Sequence, residues 1–147
     1  MSGTSGATAH AQRGDVRDAV GHFRVACTAC GRVPQGFAPF CPACGAMCDV
    51  EYDLTRVRLR ESSDPYVRFA DLLPVRDPSR LPPSSFTPAR HAVRLGEALG
   101  LPRLYLKDET GLPTGTTKDR MAAVALAYLA ECGVTGFCTS STGNSST

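Results

Sequence analysis

Two Cys-x-x-Cys-Gly motifs constrain the fold of this chain more than any other feature of its sequence. Their ligand-type residues are Cys27 and Cys30 in the first motif and Cys41 and Cys44 in the second, with ten residues between the motifs. Each motif folds back so that two thiolates face one ion, and four thiolates complete a tetrahedron around zinc. The spacing therefore predicts a structural zinc ribbon over residues 23–55, with no open metal position for chemistry.

Metal binding should supply most of the folding energy of this ribbon, because so short a region buries little apolar surface. We expect chelation of the zinc to unfold residues 23–53. Strand-like segments at residues 22–27 and 47–54 flank the two motifs. Two disulfides or a redox pair are the alternatives, but a redox motif needs only one Cys-x-x-Cys in a thioredoxin-like setting. Cys48 is expected to be a spare thiol, and His22 an alternative ligand that the cysteine set does not need.

Composition excludes several classes of function. The net charge is +2 and the fourteen arginines are scattered, so neither nucleic acid nor a membrane surface is expected as a partner. No stretch approaches the ~20 apolar residues that span a bilayer. Residues 1–22 are small and polar, have no apolar core of a signal peptide, and predict a disordered tail. Seven cysteines without a secretion signal favour reduced thiols or metal ligands in a cytoplasmic protein.

Beyond the ribbon, helices and strands are predicted to alternate. Residues 56–85 are rich in proline and serine and predict a linker that wraps over the body of the protein. The remaining elements are predicted from periodicity and end signals. They are a short helix at 66–73, a helix at 89–100 ended by Gly100, a strand at 103–107, a helix from a Thr116 or Thr117 cap to Cys132 ended by Gly133, and a strand at 134–139.

The helix that follows Lys118 contains the run MAAVALAYLA, which is apolar on nearly every side. Such a helix is expected to be buried, most simply against a sheet. A strand, a buried helix and a second strand form a βαβ crossover, which implies parallel strands. The sequence thus predicts an α/β fold with a parallel sheet in residues 86–147.

Lys118 and a Ser/Thr-rich loop are the candidate functional elements of this domain. A lysine at a helix start is usually a solvated charge. This one follows a Gly-containing loop at the predicted carboxyl edge of the sheet, where ligands bind and where a desolvated lysine can attack a carbonyl. The loop SSTGNS at residues 140–145 follows the next predicted strand and can cradle a carboxylate or phosphate, although a plain helix-cap loop has the same composition.

These motifs resemble the opening of the catalytic domain of threonine synthase and its relatives. That family belongs to the tryptophan synthase β-subunit group, or fold type II, of enzymes dependent on pyridoxal 5′-phosphate (PLP). Three blocks match in order: Thr87-Pro88, the segment LYLKDETGLPTG with TTKDR, and SSTGNSS. The ribbon followed by VEYDL also resembles the N-terminal extension of many threonine synthases, so the resemblance covers residues 23–147.

The resemblance implies specific roles for residues of this chain. Lys118 corresponds to the lysine that binds the cofactor covalently and then moves protons. Asn144 corresponds to the asparagine that hydrogen-bonds the ring O3′ of the cofactor. The loop that binds the α-carboxylate of the amino-acid substrate would include Ser141, Thr142 and Ser145. The implied reaction is the conversion of O-phospho-L-homoserine to L-threonine and phosphate.

Departures from the family pattern leave other functions open. Leu112 stands where relatives commonly have Asn, and Thr117 where they have Phe, so a related enzyme of β- or γ-replacement or elimination on another amino acid is an alternative. The glycine-rich loop for the cofactor phosphate is absent from these 147 residues. The chain is therefore expected to be the N-terminal part of a catalytic domain, inactive alone, poorly soluble or oligomeric, and in need of a complementing C-terminal part.

Two further functions are alternatives. The first is a non-catalytic zinc-ribbon module that contacts other proteins through residues 23–60. The second is a nucleic-acid-binding ribbon, which the weak net charge and the lack of interleaved basic and aromatic residues disfavour. Asp119 and Arg120 are expected to cap the helix and to form structural pairs rather than to take part in catalysis.

Overall fold

The computed structural model describes residues 21–143, which fall into two units that divide between Val57 and Arg58. The predicted tail up to residue 20 lies outside the described residues, as do Asn144 and Ser145. The first unit contains a two-stranded sheet of β1 (Phe23–Cys27) and β2 (Cys48–Tyr52). The strands are antiparallel, with Phe23 opposite Tyr52 and Cys27 opposite Cys48, which confirms the two strands predicted beside the cysteine motifs.

The two cysteine motifs adopt the same backbone turn. The amide of Gly31 donates to the carbonyl of Cys27 at 2.9 Å, and the amide of Gly45 donates to that of Cys41 at the same distance. Both glycines have left-handed backbone angles, with φ of 71° and 73°. A residue with a Cβ is strained in that conformation, so glycine at the fifth position of each motif allows the chain to fold back on its own cysteines.

The second unit begins with a short helix followed by two single 3₁₀ turns. Helix α1 (Pro65–Arg68) starts at Asp64, whose carboxylate accepts from the amide of Tyr66 at 2.8 Å. Pro65 occupies the first helical position, where its missing N–H costs nothing. The 3₁₀ turns cover Ala70–Leu72 and Pro78–Arg80. The predicted helix near residues 66–73 is thus confirmed as α1 and the first of these turns.

A hairpin with an inserted helix forms the next part of the second unit. Strands β3 (Ala89–His91) and β4 (Tyr105–Lys107) are antiparallel, and helix α2 (Val93–Leu99) lies in the connection between them. The helix predicted over residues 89–100 therefore begins four residues late. Its first residues pair with β4, because a long-range ladder outweighs local helical periodicity.

The predicted end of this helix is confirmed. Gly100 has a φ of 68°, its amide donates to the carbonyl of Glu97, and the amide of Leu101 donates to that of Gly96. This pair of bonds is the Schellman arrangement that a glycine after the last helical residue permits.

Helix α3 (Lys118–Glu131) packs one face against the segment that carries α1 and the 3₁₀ turns. The core of this contact consists of Tyr66, Val75, Leu81 and Ala127. At the end of the helix, the carboxylate of Glu131 accepts from the backbone amides of residues 76 and 77 at 2.7–3.0 Å. The proline-rich segment is therefore held to α3 by apolar packing and by these hydrogen bonds.

The boundaries of α3 agree with the sequence, but its burial does not. The helix was expected to be buried against a sheet, whereas Met121 is 51% exposed and Leu126 is 46% exposed. Only Ala127 is buried, because the apolar packing of α3 in the described residues is against a single segment of chain and not against a sheet. No helix in residues 21–143 is both long enough and apolar enough to cross a membrane.

The predicted strand at residues 134–139 is wrong: residues 134–140 form neither helix nor strand. A strand needs a neighbour for its backbone groups, and none of the four described strands pairs with this segment. Both sheets in the described residues are antiparallel, so the predicted parallel sheet with its βαβ crossover is not seen there. The α/β class itself is that of the enzyme family which residues 82–147 match, as described below.

Candidate functional site

The four cysteines of the two motifs come together in the first unit. All four Sγ atoms lie within 4.8 Å of one another. Three of the Sγ–Sγ distances are 3.5 Å (Cys27–Cys44), 3.7 Å (Cys30–Cys41) and 3.7 Å (Cys30–Cys44). Zinc–sulfur bonds of ~2.3 Å in a tetrahedron separate the sulfurs by about 3.8 Å, so the cluster has the size of a four-cysteine zinc site.

Backbone amides donate hydrogen bonds to sulfur atoms of this cluster and so favour thiolates, the form that binds a cation. The amide of Cys30 donates to the Sγ of Cys27 and, with the amide of Ala29, lowers the pKa of that thiol to about 6. The amide of Ala46 favours the Cys44 thiolate, but hydrogen bonds with Cys27 and Cys30 outweigh it and raise the pKa of Cys44 to about 12. Four thiolates repel one another, and a divalent cation removes that repulsion, so the residues fit zinc.

Neither Cys48 nor His22 belongs to the cluster. Cys48 lies opposite Cys27 in the sheet, and burial, followed by the neighbouring cysteines, raises the pKa of its thiol. All seven cysteines of the chain are free thiols, which excludes the disulfide alternative in this structure. The cluster can hold a zinc ion on its four cysteines and leaves it no open position.

Lys118 is the first residue of α3 and is exposed. The N-cap residue of the helix is Thr117, the second of the two predicted cap residues, and its side chain makes no capping hydrogen bond. The amide of Lys118 donates instead to Oγ1 of Thr116 at 3.2 Å. Within residues 21–143 no ion pair or hydrogen bond involves its ammonium group. The other lysine, Lys107, is engaged: its Nζ donates to the carbonyl of Thr87 and lies 3.6 Å from a carboxylate oxygen of Glu109. Of the two lysines, Lys118 is thus the one whose amine is free to react with a ligand.

The residues beside Lys118 have structural partners, as the sequence predicted. Asp119 accepts from both the amide and the hydroxyl of Thr114 and so closes the loop before the helix. Arg120 forms an ion pair of 2.9 Å with Glu109. Leu112, a departure from the family pattern, is buried, and its amide donates to the carbonyl of Glu109. The loop that leads to Lys118 is therefore folded by its own contacts.

A cleft of about 410 Å³ lies beside this loop. Its walls include Tyr66, Ser84, Leu112, Asp119 and Ala123, and its volume is in the range of small-molecule sites. Lys118 is not one of the lining residues.

The Ser/Thr-rich loop is only partly described. Ser141 and Thr142 are exposed, and Oγ of Ser141 accepts from the amide of Gly143 at 3.1 Å. No described contact joins either residue to Lys118. The predicted convergence of this loop with the lysine, and the assigned roles of Asn144 and Ser145, stay predictions.

Comparison with known proteins shows which enzymes this part of the chain resembles. Residues 82–147 match the family of pyridoxal-phosphate dependent enzymes. The chain is 34% identical over 112 residues to the threonine synthase of Methanosarcina acetivorans, which covers 72% of this chain and 27% of the relative. It is 32% identical over 112 residues to the threonine synthase of Methanocaldococcus jannaschii, which covers 70% and 28%. No solved structure gives a significant match.

Residues 82–147 of the second unit thus resemble the pyridoxal-phosphate dependent enzymes, and Lys118 lies inside the matched region. Over 112 residues the chain is similar to two threonine synthases, in agreement with the resemblance of its sequence motifs. The matches span about a quarter of the length of these curated relatives. The described residues fit the cofactor in one respect, because the exposed amine of Lys118 is the group that a cofactor aldehyde needs.

Proposed function

We propose that this chain contributes the lysine-bearing part of a threonine synthase, which converts O-phospho-L-homoserine and water to L-threonine and phosphate. In this reaction phosphate leaves the γ-carbon and water adds to the β-carbon. When bound, PLP stabilises the carbanions that these steps require. The observation that supports the proposal most directly is the free amine of Lys118, at the start of α3, within the region that matches PLP-dependent enzymes.

The residues have distinct roles in this proposal. Lys118 binds the cofactor through its amine and afterwards carries protons between substrate carbons. Asn144 donates a hydrogen bond to the ring oxygen of the cofactor. The α-carboxylate of the amino-acid substrate is bound by hydroxyls and amides of the loop that contains Ser141, Thr142 and Ser145. The parallel sheet expected for the whole catalytic domain would bring this loop and the lysine to one edge.

The zinc ribbon has a structural role in this proposal. Four cysteine ligands fill the coordination sphere of zinc, so the metal cannot polarise a substrate or activate water. The chain would act in the cytoplasm, where its seven free thiols stay reduced. A complementing polypeptide or a second copy of the chain would cover the exposed residues of α3. The two relatives are both threonine synthases. They therefore support neither an enzyme that acts on another amino acid nor a non-catalytic zinc-ribbon module.

Covalent trapping tests the role of Lys118. The chain is incubated with PLP and reduced with borohydride, and mass spectrometry then locates the modified lysine. With only two lysines in the sequence, Lys107 is an internal control. We expect the modification on Lys118, its loss in Lys118→Arg, and its retention in the matched control Lys107→Arg. Equal modification of both lysines would mean that the amine of Lys118 is only an exposed charge.

Reconstitution tests the reaction. The chain is co-expressed with the part of the Methanosarcina acetivorans threonine synthase that lies beyond its match to this sequence; this preparation is called the reconstituted pair. We expect release of phosphate and formation of threonine from O-phospho-L-homoserine, both abolished in Lys118→Arg. Trapping without turnover on this substrate, but with turnover of another amino acid, would overturn the substrate assignment and leave the cofactor assignment intact.

A further inference from the structure

Glu109 connects three separate segments of the second unit. Its Oε1 accepts from the hydroxyl of Thr87 at 2.5 Å, and its Oε2 accepts from Nε of Arg120 at 2.9 Å. Lys107 lies 3.6 Å from the same Oε1. One carboxylate thus contacts a residue of the segment before β3, the last residue of β4 and the first turn of α3.

The hairpin register explains why Thr87 and Glu109 meet. Ala89 is opposite Lys107 at the end of the described ladder. One step beyond, the amide of Asp108 donates to the carbonyl of Pro88 at 3.0 Å, which continues the pairing. The next pair in this register is Thr87 with Glu109. The hairpin register by itself therefore brings Glu109 beside Thr87.

Arg120 connects Glu109 to the first turn of α3. Besides Glu109, its guanidinium donates to the hydroxyl of Thr87 and to the carbonyl of Ser85, each at 3.3 Å. Its own carbonyl lies 3.4 Å from the hydroxyl of Tyr66. The hydrogen bond from Thr87, and then that from Arg120, lowers the pKa of Glu109, so this carboxylate is charged at neutral pH.

The two ends of α3 are held by two different glutamates. Glu131 fixes the last turn by accepting from the amides of residues 76 and 77. Glu109 fixes the first turn through Arg120, which is two residues after Lys118. The first turn of a helix lacks intrahelical partners for its amides and frays unless it is held. The ammonium of Lys118 has no partner in residues 21–143, so its position depends on that turn.

We propose that Glu109, through Arg120 and Thr87, is the positioning residue that holds the cofactor-binding Lys118 in place. The inference rests on the proposed function, because a fixed position of Lys118 matters only if this lysine binds the cofactor. Glu109 does not touch the reacting atoms in this proposal. It acts by fixing the backbone from which Lys118 extends, as catalytic side chains require support from rigid neighbours.

Hydrogen exchange with residue-level mass spectrometry tests the mechanical part of the proposal. Glu109→Gln keeps an acceptor for Thr87 but presents an uncharged amide to Arg120. We expect the amides of residues 119–121 to exchange about tenfold faster, with little change in the last turn. The matched control Glu131→Gln should show the reverse pattern. Equal effects of both substitutions on both ends of the helix would overturn a specific role of Glu109.

A second pair of variants covers the case in which Glu109→Gln does not fold. Thr87→Val removes the hydroxyl and keeps the shape, whereas Thr87→Ser keeps the hydroxyl. We expect faster exchange at residues 119–121 in Thr87→Val and wild-type exchange in Thr87→Ser. Identical exchange in the two variants would contradict the proposal.

The circular dichroism of PLP bound to the reconstituted pair provides a readout that a merely stabilising residue would not change. Below the melting transition, Glu109→Gln should still be trapped at Lys118 but should lose at least about half of the induced signal, because the cofactor is less fixed. Unchanged dichroism and exchange in a protein that traps normally would overturn the positioning role alone. Absence of trapping at Lys118 in the wild-type protein would instead overturn the proposed function, and the positioning role with it.

Discussion

Removal of zinc is expected to unfold the first unit while the second unit stays folded. Among the described residues of the first unit, the buried apolar side chains are those of Phe23, Ala26, Cys27 and Cys41, and Phe23 is the only large one. Full burial of a phenylalanine stabilises a fold by about 1.5–3 kcal/mol. Ordering only ten residues of backbone costs on the order of 10–20 kcal/mol.

Zinc binding contributes far more to the folding of this unit than the burial of Phe23 does. Structural zinc in short cysteine-rich peptides contributes about 10–16 kcal/mol at neutral pH, several times the contribution of Phe23. The paired strands β1 and β2 add hydrogen bonds, but an isolated two-stranded sheet is marginal in water. The metal therefore decides whether residues 23–52 fold, and no other contact of the described first unit can replace it.

The assay compares hydrogen exchange of the zinc-loaded protein with that of the protein after treatment with a strong chelator. We expect the amides of β1 and β2 to lose their protection together, while those of α3 keep theirs. Metal analysis should give one zinc per chain, absent in Cys41→Ser and retained in the matched control Cys48→Ser. Slow exchange of β1 and β2 in a sample shown to be free of zinc would refute the reasoning.

Three further predictions concern the second unit. Val75→Ala, at a site only 1% exposed, should cost about 2 kcal/mol and lower the melting temperature of this unit by roughly 10 °C, measured by calorimetry, whereas a change under 2 °C would mean that the site is loosely packed. Gly96→Ala should destabilise by at least about 1 kcal/mol in urea unfolding, because its Cβ would lie 2.5 Å from the carbonyl oxygen of Leu101; Gly111→Ala, which meets no atom within 4 Å, is the neutral control. The folded state lowers the pKa of Glu109, so the charged carboxylate stabilises the fold at pH values above its ordinary pKa of 4.5, and this stability is lost as the pH falls through the folded-state pKa. Glu109→Gln should therefore lose less stability than the wild-type protein between pH 6 and acid pH. An equal loss in both proteins would contradict this contribution.

Local signals in the sequence predicted the local structure well. The cysteine motifs with their glycines predicted where the chain folds back, and Gly31 and Gly45 have the left-handed backbone angles that such turns require. Gly100 predicted the end of α2, and the pair Thr116 and Thr117 predicted the start of α3. In each case the physical cause lies within about four residues of the signal, so no knowledge of distant contacts was needed.

The errors arose where distant residues decide the structure. Residues 89–91 have helical periodicity but form β3, because residues 105–107 offer a strand partner. Residues 134–139 have the composition of a strand but form none, because no described strand lies beside them. The contacts of Glu109 were missed for the same reason: its partners Thr87 and Arg120 lie 22 and 11 residues away, and they meet only in the folded second unit.

Helix α3 shows most clearly what a hydrophobic pattern can and cannot predict. Its apolar run indicates that most of its surface is to be covered, but a pattern carries no information about the covering surface. In the described residues, one face packs on Tyr66, Val75 and Leu81, while Met121 and Leu126 stay exposed. The covered face is also the one that carries the ion pair of Arg120 with Glu109 and the hydrogen bond from the amide of residue 76 to Glu131. The position of Lys118 therefore depends on contacts within the second unit, and not on the surface that covers the remainder of the helix.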